Sequence, residues 1–157
     1  MSEAHHYRAT VRWTGNRGPG TSGYTTYARD HLIEGAGKPP IPGSSDPQFR
    51  GDGHRYNPEE LLVASLSACH MLWYLHLCSA AGLVVEEYSD EAEGEMETAA
   101  DGSGRFRRVT LRPNVLFLGG SVDRATALHE EAHRKCFIAS SVNFPVRCEP
   151  TTRVRDP

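Results

Sequence analysis

The chain has 157 residues, a formal net charge of -3 at pH 7 and four cysteines. Its length suits one domain, 1–157, with a real core, and its near-balanced charge gives no global signal for nucleic acid or an anionic membrane surface. The polar start with His5 and His6 reads as neither a signal peptide nor a membrane span, so the expected compartment is the reducing cytoplasm, where cysteines are catalytic, metal-binding or core rather than a disulfide framework.

From His6 to Trp13 the residues Tyr7, Ala9, Val11 and Trp13 alternate, which predicts a strand. The segment TGNRGPGTSG follows as a turn, and Tyr24 to Ile33 is β-prone and expected to pair back. Glu34 to Tyr56 is dominated by Gly, Pro, Ser and Asp and reads as a long functional or mobile loop. A long helix is expected next, capped by Asn57, with Pro58 in its first turn, Glu59 and Glu60 complementing the dipole, and Gly82 as its stop. The apolar stretch from Leu61 to Leu83 is interrupted by Ser65, Ser67, His70 and His76, so it reads as a buried core helix rather than a membrane-spanning one. Two strand-like runs, Leu83 to Glu97 and Arg105 to Leu118, flank the hairpin signal TAADGSG. Asp123 is expected to cap a second helix, RATALHEEAHRKC, and FPVRCEPTTRV reads as a final strand. The order β-β-α-β-β-α-β implies an α+β fold, two helices on antiparallel sheet.

Cys69 lies inside the first expected helix and Cys136 closes the second. Buried free cysteine is commonly inert core. Cys78 follows Cys69 by nine positions, half a turn round the helix, so the two face opposite ways. Cys78, and Cys148 in the last strand, read as packing residues. His129, His133 and Cys136 share one helical face, and with Cys69 they form an alternative, four-ligand zinc reading.

The segment NPEELLVASLSACH resembles the signature of the OsmC/Ohr family, the osmotically inducible and organic hydroperoxide resistance proteins. In that family the Glu of Asn-Pro-Glu precedes the reactive cysteine by ten residues, the spacing of Glu59 and Cys69. A later family cysteine, set in Cys-Pro-x-Ser, corresponds to Cys136 in HRKCFIASS, where Phe137 replaces the proline and Ser140 comes one place later. The resemblance implies a thiol peroxidase without haem or metal, folded as an intertwined homodimer with sheets wrapped around two central helices. Its substrates would be organic hydroperoxides and, more weakly, hydrogen peroxide.

The resemblance further implies that Cys69 becomes a sulfenic acid. Cys136 would condense with it to a disulfide, and an external dithiol, such as a lipoylated protein, would reduce that bond. An apolar helix alone keeps a thiol protonated, so a cation is needed near Cys69. Arginine clamped by Glu59 suits that role. Arg17 matches an early turn of one branch of the family. Arg50, just before the helix, matches the other and is favoured. Leu62, Leu66, Leu72, Trp73 and Phe137 are candidates to line an alkyl-chain site. Two alternatives to the peroxidase are a metal-binding protein using His129, His133 and Cys136, and a low-turnover stress-response binding module.

Overall fold

The computed structural model describes residues 2–157, and its chain contacts gather into two compact units, the first ending at Leu61 and the second spanning Leu62–Pro157.

The first unit holds a three-stranded antiparallel sheet. Strand β1 (Thr10–Trp13) pairs with β2 (His31–Glu34), and β2 pairs with β3 (Ile41–Gly43). The β1–β2 connection closes at Gly15, whose carbonyl accepts from Ala28 N at 2.9 Å. A β-carbon there would sit 1.9 Å from the Ala28 carbonyl oxygen, so only glycine allows that approach. Tyr24–Thr26 is turn rather than strand, and the strand expected over Tyr24–Ile33 begins only at His31. The connection expected over Glu34–Tyr56 contains β3 and a 3-10 turn at Pro47–Phe49. Three residues of strand carry too little alternation to stand out among prolines and glycines.

Helix α1 runs from Pro58 to Ala80. Asn57 Oδ1 accepts from Glu60 N at 2.8 Å, and Asn57 Nδ2 donates to Glu60 Oε1 at 2.9 Å. This reciprocal cap satisfies an amide that the first turn leaves open. Gly82, at φ 73°, ends the helix in the left-handed conformation. The buried residues Leu66, His70, Tyr74 and Cys78 recur every four positions and form one stripe. Elsewhere the helix is part-exposed, and Leu72 is 63% exposed. The core-helix expectation therefore holds for one face only, and α1 is long and apolar enough to cross a membrane by length and composition.

Among its described residues, the second unit has two three-stranded sheets. One is ordered β4 (Val85–Asp90), β7 (Pro113–Leu118), β9 (Thr151–Arg155); the other β5 (Glu93–Thr98), β6 (Gly104–Leu111), β8 (Val146–Cys148). Each strand-like run of the sequence is thus two strands that go to different sheets. The breaks lie together: Pro113 starts β7 and pairs with Asp90, while Asp90 accepts from Arg112 N and from Ser67 Oγ, both at 2.6 Å. The β5–β6 hairpin closes at the expected turn, with Ala99 N donating to Ser103 O at 2.7 Å.

The sheets are mixed, not antiparallel: β8 runs parallel to β6, and β9 parallel to β7. The returning chain passes through α2 (Val122–Lys135), a crossover that parallel pairing requires. Ser121, not Asp123, caps α2, its side chain accepting from Arg124 N; Asp123 lies in the first turn. Tyr74, Cys78, Val115, Phe117, Ala125 and Ala132 form a core between the helices and β7, and Leu66, Val109 and Leu111 form a second one over β6.

Candidate functional site

Cys136 caps the C-terminus of α2 and is 1% exposed. Its sulfur accepts from Ala139 N at 3.5 Å, because the chain turns back at once into a 3-10 turn at Ala139–Ser141. Burial, with a smaller contribution from the adjoining Cys69, pushes the Cys136 thiol up to about 11. The half-buried Cys69 on α1 and Cys136 at the end of α2 are thus brought together, and both are free thiols. Phe137, 68% exposed, packs edge-on against Trp73 at 5.6 Å between ring centroids. Leu72, Trp73 and His76 line a shallow surface hollow, and Phe137 meets that same Trp73 ring, whereas Leu62 and Leu66 belong to the core over β6.

A second polar cluster lies on the buried stripe of α1. His70 Nε2 and His129 Nδ1 are 3.0 Å apart, with ring planes inclined by 1° and centroids 5.3 Å apart. The rings share a plane and meet edge to edge, the geometry of an N–H···N hydrogen bond. Tyr74 stacks on His129 with centroids 3.7 Å apart and donates its hydroxyl to the Ala125 carbonyl at 2.6 Å. His129 Nε2 is buried and has no partner. That holds for either tautomer: the nitrogen is then an unpaired donor or an unpaired acceptor, an uncommon state for a buried group. Cys148 Sγ lies 3.8 Å from His70 Nε2, and donor atoms of His70, His129 and Cys148 all fall within 4.8 Å of one another.

Burial lowers His70 to about 4, against an opposing pull from Asp90 and with help from His133. Burial, then His70, lowers His129 to about 3. Burial also pushes the Cys148 thiol up to about 12, with Asp90 and Glu149 adding to it. Both imidazoles are therefore neutral and the thiol protonated at neutral pH.

This cluster corrects two expectations. His129 does not gather with His133 and Cys136: His133 is exposed, and Cys136 sits with Cys69. Cys148 is not merely packing, because it touches His70. The shared face of α2 spans more than a turn, and the packing of α1 and β8 selects which part of it meets donors. His70 was legible as a histidine on the Leu66–Tyr74–Cys78 stripe. No local signal marked Cys148.

Arg17, Arg50 and Glu59 belong to the first unit. Arg17 and Arg50 are exposed and Glu59 is half-buried. Arg50 takes φ 64° and lies 5.9 Å from the Tyr24 ring centroid. Two other arginines of that unit are held in place by neighbours. Arg29 lies 3.9 Å from the Tyr27 ring centroid and donates to the carbonyls of Tyr27 and Tyr24, both at 2.8 Å. Arg55 pairs with Asp30 at 3.5 Å and Asp52 at 3.8 Å.

Residues 51–151 match the family described as OsmC-like protein. An OsmC-like protein of unknown function from Vibrio cholerae O1 biovar eltor is 33% identical, with a TM-score of 0.83 over 96% of this chain and 100% of its own. The protein YmaD of Bacillus subtilis (strain 168) is 26% identical over 137 residues, 87% of this chain and 81% of its own length. An organic hydroperoxide resistance protein from Elizabethkingia anophelis, 18% identical, shares the fold at a TM-score of 0.70 over 99% of this chain and 100% of its own. The pairing of Cys69 in an Asn-Pro-Glu helix with a cysteine at the end of the second helix thus sits on a matching sequence and a matching α+β fold, and the chain belongs to the OsmC-like protein family.

Proposed function

We propose that this protein is a thiol-dependent peroxidase acting on organic hydroperoxides. The observation that supports it is the closeness of two free thiols, Cys69 on α1 and Cys136 at the end of α2. The Cys69 thiolate attacks the peroxide, the O–O bond breaks, and the departing alkoxide takes a proton to become the alcohol. A sulfenic acid remains on Cys69. The Cys136 sulfur displaces its oxygen as water, forming a disulfide before the sulfenic acid can oxidise further. An external dithiol, a lipoylated protein or similar, reduces the disulfide by exchange.

The cation that activates Cys69 comes from Arg50 or Arg17, oriented by Glu59. We further propose a homodimer in which the part-exposed side of α1 meets a second copy. Exposed Leu72 and Phe137 support that, since contiguous apolar surface marks interaction sites.

The test is peroxide consumption with dihydrolipoamide or thioredoxin as reductant, comparing cumene hydroperoxide with hydrogen peroxide. Cys69→Ser should abolish turnover in a folded protein; undiminished turnover would end this reading. One equivalent of cumene hydroperoxide should yield a Cys69–Cys136 peptide. In Cys136→Ser it should instead leave oxygen on Cys69. Arg17→Ala, Arg50→Ala and Arg29→Ala, assayed side by side, assign the cation.

A second reading, metal binding, is favoured by a specific observation. The donors of His70, His129 and Cys148 are already gathered within 4.8 Å, all inside the second unit. In this respect the metal reading is the more completely supported of the two. Elemental analysis of the purified protein tests it.

A further inference from the structure

We propose that His70, His129 and Cys148 form a buried three-coordinate site for a soft monovalent ion, copper(I). The proposal rests on the metal-binding reading and adds the identity of the ion.

Charge favours this ion. His70 and His129 are 1% and 3% exposed, so a net charge placed among them would be poorly solvated. Copper(I) with two neutral imidazoles and one thiolate is neutral overall. Zinc(II) with the same donors leaves one positive charge in the core. Donor number and type point the same way. Thiolate and imidazole together suit copper(I), whereas structural zinc is almost always bound by four ligands. Three donors gather here.

The existing hydrogen bond shows how the site would load. The facing nitrogens of His70 and His129 share one proton across 3.0 Å. The metal takes that proton's place, and the proton moves to the far nitrogen of the ring that carried it. Ring nitrogens bound to one metal at about 2.0–2.1 Å, the distance typical for zinc, must turn their lone pairs toward a common point, so the rings rotate slightly out of line. Cys148 loses its thiol proton to solvent, so one positive charge enters as one leaves. Cys148 is the only half-buried member of the three, at the last residue of β8, and offers the ion its way in. His129 Nε2, which has no partner, is left free by ligation through Nδ1. Tyr74, stacked on His129 at 3.7 Å, holds that ring in the plane of the site.

Adjacent Cys69 and Cys136 would themselves capture copper(I), so the test uses the full chain carrying Cys69→Ser and Cys136→Ser. It is titrated anaerobically with copper(I) against bathocuproine disulfonate, and separately with zinc(II). The expected result is one bound copper(I), with two nitrogens and one sulfur around it by X-ray absorption. Adding Cys148→Ser should weaken binding by more than about 100-fold, the upper end for disturbing an outer-shell partner. Adding Cys78→Ser should leave it unchanged. A copper shell without sulfur overturns the proposal even if Cys148→Ser fails to fold. Binding of zinc(II) but not copper(I) overturns the proposal and leaves the metal-binding reading standing. Binding of neither ion overturns both.

Discussion

Acid should destabilise this protein before its carboxylates protonate, because two histidines are buried neutral. His70 and His129 titrate at about 4 and about 3 in the folded chain, against 6.5 for a free histidine. Below pH 6.5 the unfolded chain takes up a proton at each, while the folded chain takes up none until its lowered values are reached. Stability therefore rises with pH through this window and falls as pH drops. Each group contributes about 1.4 kcal/mol per pH unit. From pH 6.5 to pH 5 the pair accounts for a loss of about 4 kcal/mol, a large part of a typical total of about 5–15 kcal/mol. Below pH 4 the His70 share stops growing, and below pH 3 so does that of His129. The assay is urea unfolding at pH 7, 6 and 5, followed by Trp13 and Trp73 fluorescence and by circular dichroism. The midpoint should fall steeply with an unchanged slope. An unfolding free energy, midpoint times slope, constant to within about 10–15% across that range would refute the reasoning, since it would mean that the pair titrates alike in both states.

Gly51→Ala should cost about 1–3 kcal/mol, measured by urea unfolding, because the added β-carbon would fall 1.6 Å from the Ser45 carbonyl oxygen; a neutral result would show that the Ser45–Gly51 loop yields freely. Tyr74→Phe removes a fully buried hydroxyl that donates to Ala125 O at 2.6 Å, and should lower stability by about 1–2 kcal/mol. Leu72→Glu should shift the proposed homodimer toward monomer in light scattering, since Leu72 is exposed on α1; a wild-type monomer at micromolar concentration would count against the dimer.

The sequence by itself determined what depends on neighbours along the chain. The Asn57 cap, the Gly82 stop and the TAADGSG turn are local hydrogen-bonding decisions, and each was legible. So were the α+β class and the prominence of Cys69 and Cys136, because their residue spacing carries the family resemblance. Tertiary structure alone decided the rest. Alternation tells which side chains face inward but not which way a partner strand runs, so the parallel pairing of β8 and β9 was invisible. Proline at 113 and aspartate at 90 split two apparent strands into four, and their meeting depends on chain segments more than twenty residues apart. The buried cluster shows the same limit most sharply. His70 and Cys148 are 78 positions apart, and His129 has local spacing to His133 and Cys136 but meets His70 instead. Only the packing of α1, α2 and β8 brings those donors together, because desolvation and lone-pair direction act through space rather than along the chain.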